Sequence, residues 1–186
     1  DRDEEVLVTE VACLGMENIK TALYEDLVEI LRSEGAEIHH LYERNEIALR
    51  LREGLSQEKG FFLGAGLTEG SGRVVIRENG VRFEVDYLEG QKTGYFLDQR
   101  PNRRAVMELS HGLTVLDCFT HTGAFAIHAA LGGAERVTAV DVSGTALQQA
   151  EKNASLNGLE DRIDFIKTDV FDLLSGSESP AAERMT

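Results

Sequence analysis

Residues 113–131 read LTVLDCFTHTGAFAIHAAL: a short apolar run, an aspartate, one glycine among small residues, then a stretch rich in alanine. Leu113, Val115 and Leu116 fit a strand at Thr114–Cys118, and the residues from Ala124 to Leu131 fit a helix. Asp117 to Gly123 is then a strand-to-helix turn. Working outward, the same alternation recurs, with a strand at Arg136–Asp141, a helix at Thr145–Leu156 and a strand at Ile163–Thr168. Strands and helices alternating at this spacing imply βαβ units and a parallel sheet.

Upstream, VVIRENGVRFEVDY (74–87) alternates on both sides of Asn79-Gly80, which is the hairpin signal, because both central residues of a type I′ turn need positive φ. Between hairpin and sheet, Pro101 suits the first turn of a helix carrying Ala105, Val106 and Leu109, stopped by Gly112. The front of the chain reads as a strand at Glu5–Cys13 and a helix burying one stripe (Met16, Ile19, Leu23, Leu27, Ile30, Leu31) and ending at Gly35. A second strand follows at Ile38–Tyr42. Residues 44–72 read as a connection, with a short helix possible at 45–52. His39 and His40 are neighbours on a strand and point to opposite faces, so they do not form a metal site.

Composition narrows the classes. Of 186 residues, 42% are apolar, enough for a packed core, and no run is long enough to cross a bilayer. The acidic opening is unlike a secretory signal, and two cysteines give no disulfide framework, so the expected location is the cytoplasm. A net charge of −14 weighs against wholesale nucleic-acid binding. The balance reverses locally at 92–104, where Lys92, Arg100, Arg103 and Arg104 face one acid, Asp98. A solvated helix face would explain such a cluster equally well.

In a parallel sheet of this kind, ligands sit beyond the carboxyl ends of the strands. The three strands here end at Asp117, Asp141 and Asp169. Any one of them could be no more than a helix N-cap, with Ser143 a rival to Asp141, but three at successive strand ends favour a shared rim. A pyrophosphate turn wants several glycines and no acid, whereas this turn has one glycine, Gly123, and Asp117 at its mouth. That selects a cationic, phosphate-free nucleoside. S-adenosylmethionine fits, with its ammonium and sulfonium near Asp117, its ribose on Asp141 and its adenine amino group near Asp169. Phe119, Phe125 and Phe171 could be core aromatics; Phe171, beside Asp169, is the one placed to touch adenine.

The segments GQKTGYFLDQRPNR (90–103), LDCFTHTGAFAIHAA (116–130), VDVS (140–143), NASLNGL (153–159) and DVFDLL (169–174) together resemble the ribosomal RNA large-subunit methyltransferase I family. YERNE and REGL extend the likeness weakly into the front half. The resemblance implies an enzyme that uses S-adenosylmethionine to methylate C5 of a cytosine in large-subunit ribosomal RNA. It implies that residues of Gln91–Arg103 close over the cofactor, giving the basic cluster a purpose. The cofactor-binding set it suggests is Lys92, Thr93, Phe96, Asp98, Gln99, Arg100 and Arg103 before the sheet, Asp117, Phe119, Thr120, Gly123 and Phe125 at the turn, Asp141, Val142 and Ser143 after the second strand, and Asp169, Val170 and Phe171 after the third.

His121 stands where such sequences usually have tyrosine, and Ala124 where glycine is common. The family's RNA-binding PUA domain, its Asp-Pro-Pro motif and its later catalytic cysteine are not found in these residues. C5 methylation needs a thiolate to attack C6. Cys118, at the end of the first strand, is expected beneath the cofactor as a small apolar residue, and Cys13 lies in the front unit, so the catalytic residue is unknown and the nucleophilic cysteine is expected beyond this chain.

The expected architecture is a small N-terminal α/β domain (1–72), a β-hairpin linker (73–90), a partial Rossmann-like class I methyltransferase domain with a parallel sheet (91–174) and a polar tail (175–186). Half a sheet implies an unpaired edge at its third strand, or whichever strand lies beside the missing ones, with self-association there or a disordered tail from about Ser175. Ribosomal RNA is the partner implied for the complete protein. A noncatalytic adaptor and a nicotinamide-dependent oxidoreductase are the competing classes, the latter disfavoured by the missing glycines.

Overall fold

The computed structural model describes residues 2–90, 94–176 and 183–184. The chain divides into two compact units, residues 1–76 with 85–97, and residues 77–84 with 98–186.

The first unit is a four-stranded sheet of β1 (Arg2–Asp3), β2 (Val6–Thr9), β3 (His40–Asn45) and β4 (Glu58–Phe61), in that order. β2 and β3 run parallel, joined by helix α1 (Leu14–Ser33), and β4 returns antiparallel to β3. The connection expected at 44–72 thus holds a strand, together with the short helix α2 (Leu49–Arg52). The stripe expected on α1 is also corrected. Tyr24 and Val28 are buried against Leu7, Ile38 and Leu41, with Leu27 and Leu31 partly covered, whereas Met16, Ile19, Leu23 and Ile30 are exposed. A helix on one sheet face buries a single arc, and the arc through Tyr24 is fixed by the sheet beneath it.

Hairpin strands β5 (Arg73–Glu78) and β6 (Val81–Asp86) are joined through Asn79 and Gly80, at φ 51° and 84°, as the type I′ reading requires. Their inward positions carry Val74, Ile76, Glu78, Val81, Phe83 and Val85. Glu78 is an acid at a core-facing position.

The second unit is built on a parallel sheet of β7 (Thr114–Cys118), β8 (Arg136–Asp141) and β9 (Ile163–Lys167), with β10 (Glu183–Arg184) antiparallel beyond β9. Its helices are α3 (Arg100–Leu109), with Pro101 in the first turn, α4 (Ala124–Leu131), α5 (Gly144–Ser155) and α6 (Val170–Ser175). The βαβ reading of this half is matched nearly residue for residue. α4 is buried along most of its length by Ala126, Ile127, Ala129 and Ala130. At Gly132 a side chain would meet the Met107 carbonyl oxygen at 2.0 Å, so α3 crosses where only glycine fits.

Of the two places expected for the unpaired edge, the third strand is covered in part, and the edge open along its whole length among the described residues is that of β7. β10 pairs with Ile166 and Lys167 of β9, while β7 borders only β8 among the described residues and leaves Leu113 and Leu116 exposed. Most of the tail expected from Ser175 lies outside the described residues.

Within this unit a buried charge pair holds the hairpin tip to α3. Arg103 donates to both oxygens of Glu78, at 2.6 and 2.8 Å, and both side chains are buried. Phe83 stacks on the His128 ring, with centroids 5.7 Å apart. His128 bonds the Ala124 carbonyl through Nδ1 at 2.7 Å and meets Asn79 Nδ2 at 3.4 Å.

Candidate functional site

The carboxyl ends of β7, β8 and β9 are level. Cys118 pairs with Val140, and Asp141 with Lys167. This register puts Asp117, Asp141 and Asp169 at the ends of three adjacent strands, which is the rim the sequence anticipates.

The β7–α4 turn is bent by three left-handed residues, Phe119 (φ 58°), His121 (φ 51°) and Gly123 (φ 78°). For a residue with a side chain this conformation costs roughly 1–2 kcal/mol. The turn is held by two tertiary bonds and one of its own. Thr120 N–H donates to the Val140 carbonyl at 3.0 Å, Gly123 N–H to the Thr120 carbonyl at 2.9 Å, and His121 N–H to Asp141 Oδ2 at 2.9 Å. Gly123 also permits contact with α5, because a Cβ there would lie 2.9 Å from the Ala150 Cβ.

Asp117 is partly buried at the mouth of this turn. Its Oδ2 accepts the Thr120 hydroxyl at 2.6 Å and the Ala126 N–H at 3.0 Å, while no described residue engages Oδ1. Burial pushes its carboxyl above the ordinary carboxylate range. Thr120 and Ala126 pull the other way, and the charge of Asp141 adds to the rise. Such a group gains from a cationic neighbour.

Asp141 is not the cap of α5. Its Oδ1 accepts the Ser143 N–H at 2.9 Å, and Ser143 itself caps, accepting the Ala146 N–H at 3.3 Å. Each Asp141 oxygen therefore holds one backbone N–H and keeps a further lone pair. Asp169 does cap a helix: its Oδ1 accepts Phe171 N–H at 2.7 Å and Asp172 N–H at 3.4 Å. The cap explanation therefore accounts for Asp169 Oδ1 and leaves Oδ2 without a described partner.

Aromatic surface stands open beside these groups. Phe119 and Phe171 are 59% and 72% exposed, with ring centroids 5.9 Å apart, and Val142 is exposed next to Asp141. Thr120 and Val170 are buried supports. Phe125 meets the Arg103 guanidinium, which lies 5.9 Å from its ring centroid.

The basic segment behaves differently. Arg103 is engaged with Glu78, Asp98 accepts from Gln99 Nε2 at 3.0 Å, and Gln99 accepts from Asn102 at 2.9 Å. Arg100 is exposed. Among the described residues no hydrogen bond or ion pair joins Asp98, Gln99 or Arg100 to the strand ends. Phe96 belongs to the first unit, and Lys92 and Thr93 lie outside the described residues.

His121 was noted in the sequence only as a departure, yet its backbone ties the turn to Asp141. Burial lowers the pKa of its imidazole, with Asp141 opposing. Among the described residues no group of His, Cys, Asp and Glu could hold a metal ion, and no helix is long and apolar enough to cross a membrane. Cys13 and Cys118 are partly buried free thiols.

Residues 68–176 match the family model of S-adenosylmethionine-dependent methyltransferases. Over 175 residues the chain is 41% identical to a protein named Ribosomal RNA large subunit methyltransferase I from Pseudoalteromonas translucida (strain TAC 125), covering 94% of this chain and 42% of that one. It is 49% identical over 135 residues to the protein of the same name from Aeromonas salmonicida (strain A449), covering 72% and 33%. The chain thus spans about two fifths or less of the length of these curated relatives. Among solved structures, SMU.776, described as a methyltransferase complexed with SAH, superposes with a TM-score of 0.74 at 24% identity, covering 94% of this chain and 42% of that one, a likeness of fold.

Proposed function

Because the chain belongs to the family of S-adenosylmethionine-dependent methyltransferases, we propose that its rim of strand ends holds that cofactor and that the whole protein methylates C5 of a cytosine in large-subunit ribosomal RNA. The observation that carries the reading is Asp117, a partly buried carboxylate with one oxygen satisfied and the other without a partner among the described residues, at the mouth of a turn with too few glycines for a pyrophosphate.

When bound, the cofactor supplies a methyl group on a cationic sulfur. The residues would divide the binding among them. Asp117 Oδ1 accepts from the ammonium, the remaining lone pairs of Asp141 accept from the ribose diol, and Asp169 Oδ2 takes the adenine amino group. Phe171, with Phe119 beside it, offers a face for the base. Thr120, Gly123, Val142, Ser143 and Val170 shape the backbone around them, and Asp98 and Gln99 just before α3 and Arg100 at its start, all in the second unit, belong to the segment proposed to close over the cofactor. Phe125 and Arg103 are assigned to support beneath it.

Pyrimidine C5 chemistry needs a thiolate to make the ring nucleophilic. The β-strand alternation that points Asp117 into the turn sends neighbouring Cys118 to the opposite face, so the nucleophile is assigned to the part of the relatives' length outside this chain. Ribosomal RNA as substrate, a cytoplasmic location and self-association along the open edge of β7 belong to the same proposal.

Calorimetric titration with S-adenosylhomocysteine and, separately, NAD tests it. Binding of S-adenosylhomocysteine with no heat from NAD is expected. Binding of NAD alone would reverse the assignment, and binding of neither would favour a noncatalytic adaptor.

A further inference from the structure

The motif NASLNGL (153–159) has no part in the site described above, yet it forms the end of α5 and the turn that follows it, behind the β7–α4 turn. Gln149 and Asn153 on α5 and Asn157 in the turn just past its end recur at four-residue steps, so their side chains fall in one row. That row meets the outer edge of β6. In an antiparallel hairpin, alternate residues of each strand point N–H and C=O away from the partner, where they need other acceptors and donors. In β6 these are Arg82 and Glu84, and the three amides satisfy all four groups.

Asn157 accepts the Arg82 N–H at 3.0 Å and donates to the Arg82 carbonyl at 2.8 Å, as a neighbouring strand would. Asn153 Oδ1 accepts the Glu84 N–H at 2.9 Å, and Gln149 donates to the Glu84 carbonyl at 3.2 Å. The Arg82 side chain adds a bond to the Leu156 carbonyl. An edge that would otherwise be open to another chain is closed by side chains of α5 and of the turn at its end.

Asn153 has a second task that Asn157 lacks. It is buried, and its Nδ2 donates to the carbonyl of Thr122 at 3.2 Å, inside the left-handed turn between Asp117 and Gly123. One helical turn earlier, Ala150 fills the space under Gly123. The strained turn therefore rests on α5 at two adjacent points, one of packing and one of hydrogen bonding. We propose that Asn153 is a positioning residue for the cofactor turn, joining the hairpin edge at Glu84 to the carbonyl of Thr122 and so fixing the geometry in which Asp117 meets its ligand. The inference rests on the reading of the rim given above.

Asn153→Asp separates the two tasks. The carboxylate still accepts the Glu84 N–H and can no longer donate to Thr122. Asn157→Asp is the matched control, because it keeps its acceptor for Arg82 and never touched the turn. Loss of one buried hydrogen bond should weaken S-adenosylhomocysteine binding by roughly 5- to 30-fold in Asn153→Asp, and by less than about twofold in Asn157→Asp. Protonating the new carboxyl restores a donor, so the deficit relative to the unaltered chain should shrink from pH 8 to pH 5.5, which a general packing defect would not do.

Hydrogen exchange of backbone amides in 119–126 should be faster in Asn153→Asp alone, with or without ligand. Should Asn153→Asp fail to fold, Asn153→Ser carries the same readouts except the pH recovery. Equal losses in both variants, or unchanged exchange in 119–126, would overturn the proposal. If the unaltered chain binds no S-adenosylhomocysteine, the reading of the rim falls while the exchange measurement still decides the role of Asn153.

Discussion

Replacing Asp117 by asparagine should cost cofactor affinity and leave stability nearly unchanged. The amide is the same size, and its Oδ1 can still accept the Thr120 hydroxyl and the Ala126 N–H now held by Asp117 at 2.6 and 3.0 Å. Burial and the nearby charge of Asp141 disfavour the ionised carboxylate in the folded state. A carboxyl whose folded pKa is raised contributes stability that is fully present below its unfolded pKa and lost as pH rises through the folded one, so at neutral pH the charge is a liability that asparagine removes. Unfolding in urea is therefore expected to shift by no more than about 1 kcal/mol in either direction.

Binding should respond in the opposite sense. A hydrogen bond to a charged partner contributes about 1.5–3 kcal/mol, so Asp117→Asn should weaken S-adenosylhomocysteine roughly 10- to 150-fold in calorimetric titration at pH 7.5. Affinity of the unaltered chain should fall on acidification, beginning above the ordinary carboxylate range, and the variant should lack this dependence. An Asp117→Asn chain binding within threefold of the original would refute the assignment of Asp117 to the ammonium. A loss of stability beyond about 3 kcal/mol would show the carboxylate to be structural.

Two further outcomes test the fold beneath the site. Glu78→Leu and Arg103→Met should each cost about 3–5 kcal/mol in urea unfolding, because each leaves the partner's buried charge uncompensated, while the double replacement should recover most of the loss; single costs under 1 kcal/mol would contradict this. His128 is held neutral by burial, which outweighs the Ala124 bond and Glu78, while Arg103 lowers it further. Its contribution is present above its unfolded pKa near 6.5 and lost as pH falls through the lowered folded value, so the urea midpoint should drop between pH 7 and pH 5 by more than in His128→Gln.

Much of the second unit was legible because its signals are local. β7, α4 and β8 occupy the spans expected from apolar runs, alanine content and the position of Gly123, and Asn79-Gly80 announced the hairpin from two residues. The first unit resisted where structure depends on distant neighbours. β4, with Glu58, Lys59 and Gly60, has no apolar alternation, and it is a strand because β3 offers an edge to pair with. On α1 the leucines and isoleucines suggested one face, and the sheet selected an arc through Tyr24 and Val28 that keeps only Leu27 and Leu31 of that stripe.

The candidate site divides in the same way. Residue order alone placed aspartates at the ends of three strands, since strand ends follow from short-range pattern and the turn after each is only a few residues long. Residue order could not say that Glu78 and Arg103 would neutralise each other across 25 residues, that Ser143 and not Asp141 would cap α5, or that Asn153 would hold Thr122 across 31. Those partnerships are chosen when buried polar groups must find donors and acceptors inside the packed chain, a requirement set by desolvation and met only by whichever groups the fold brings within about 3 Å of one another.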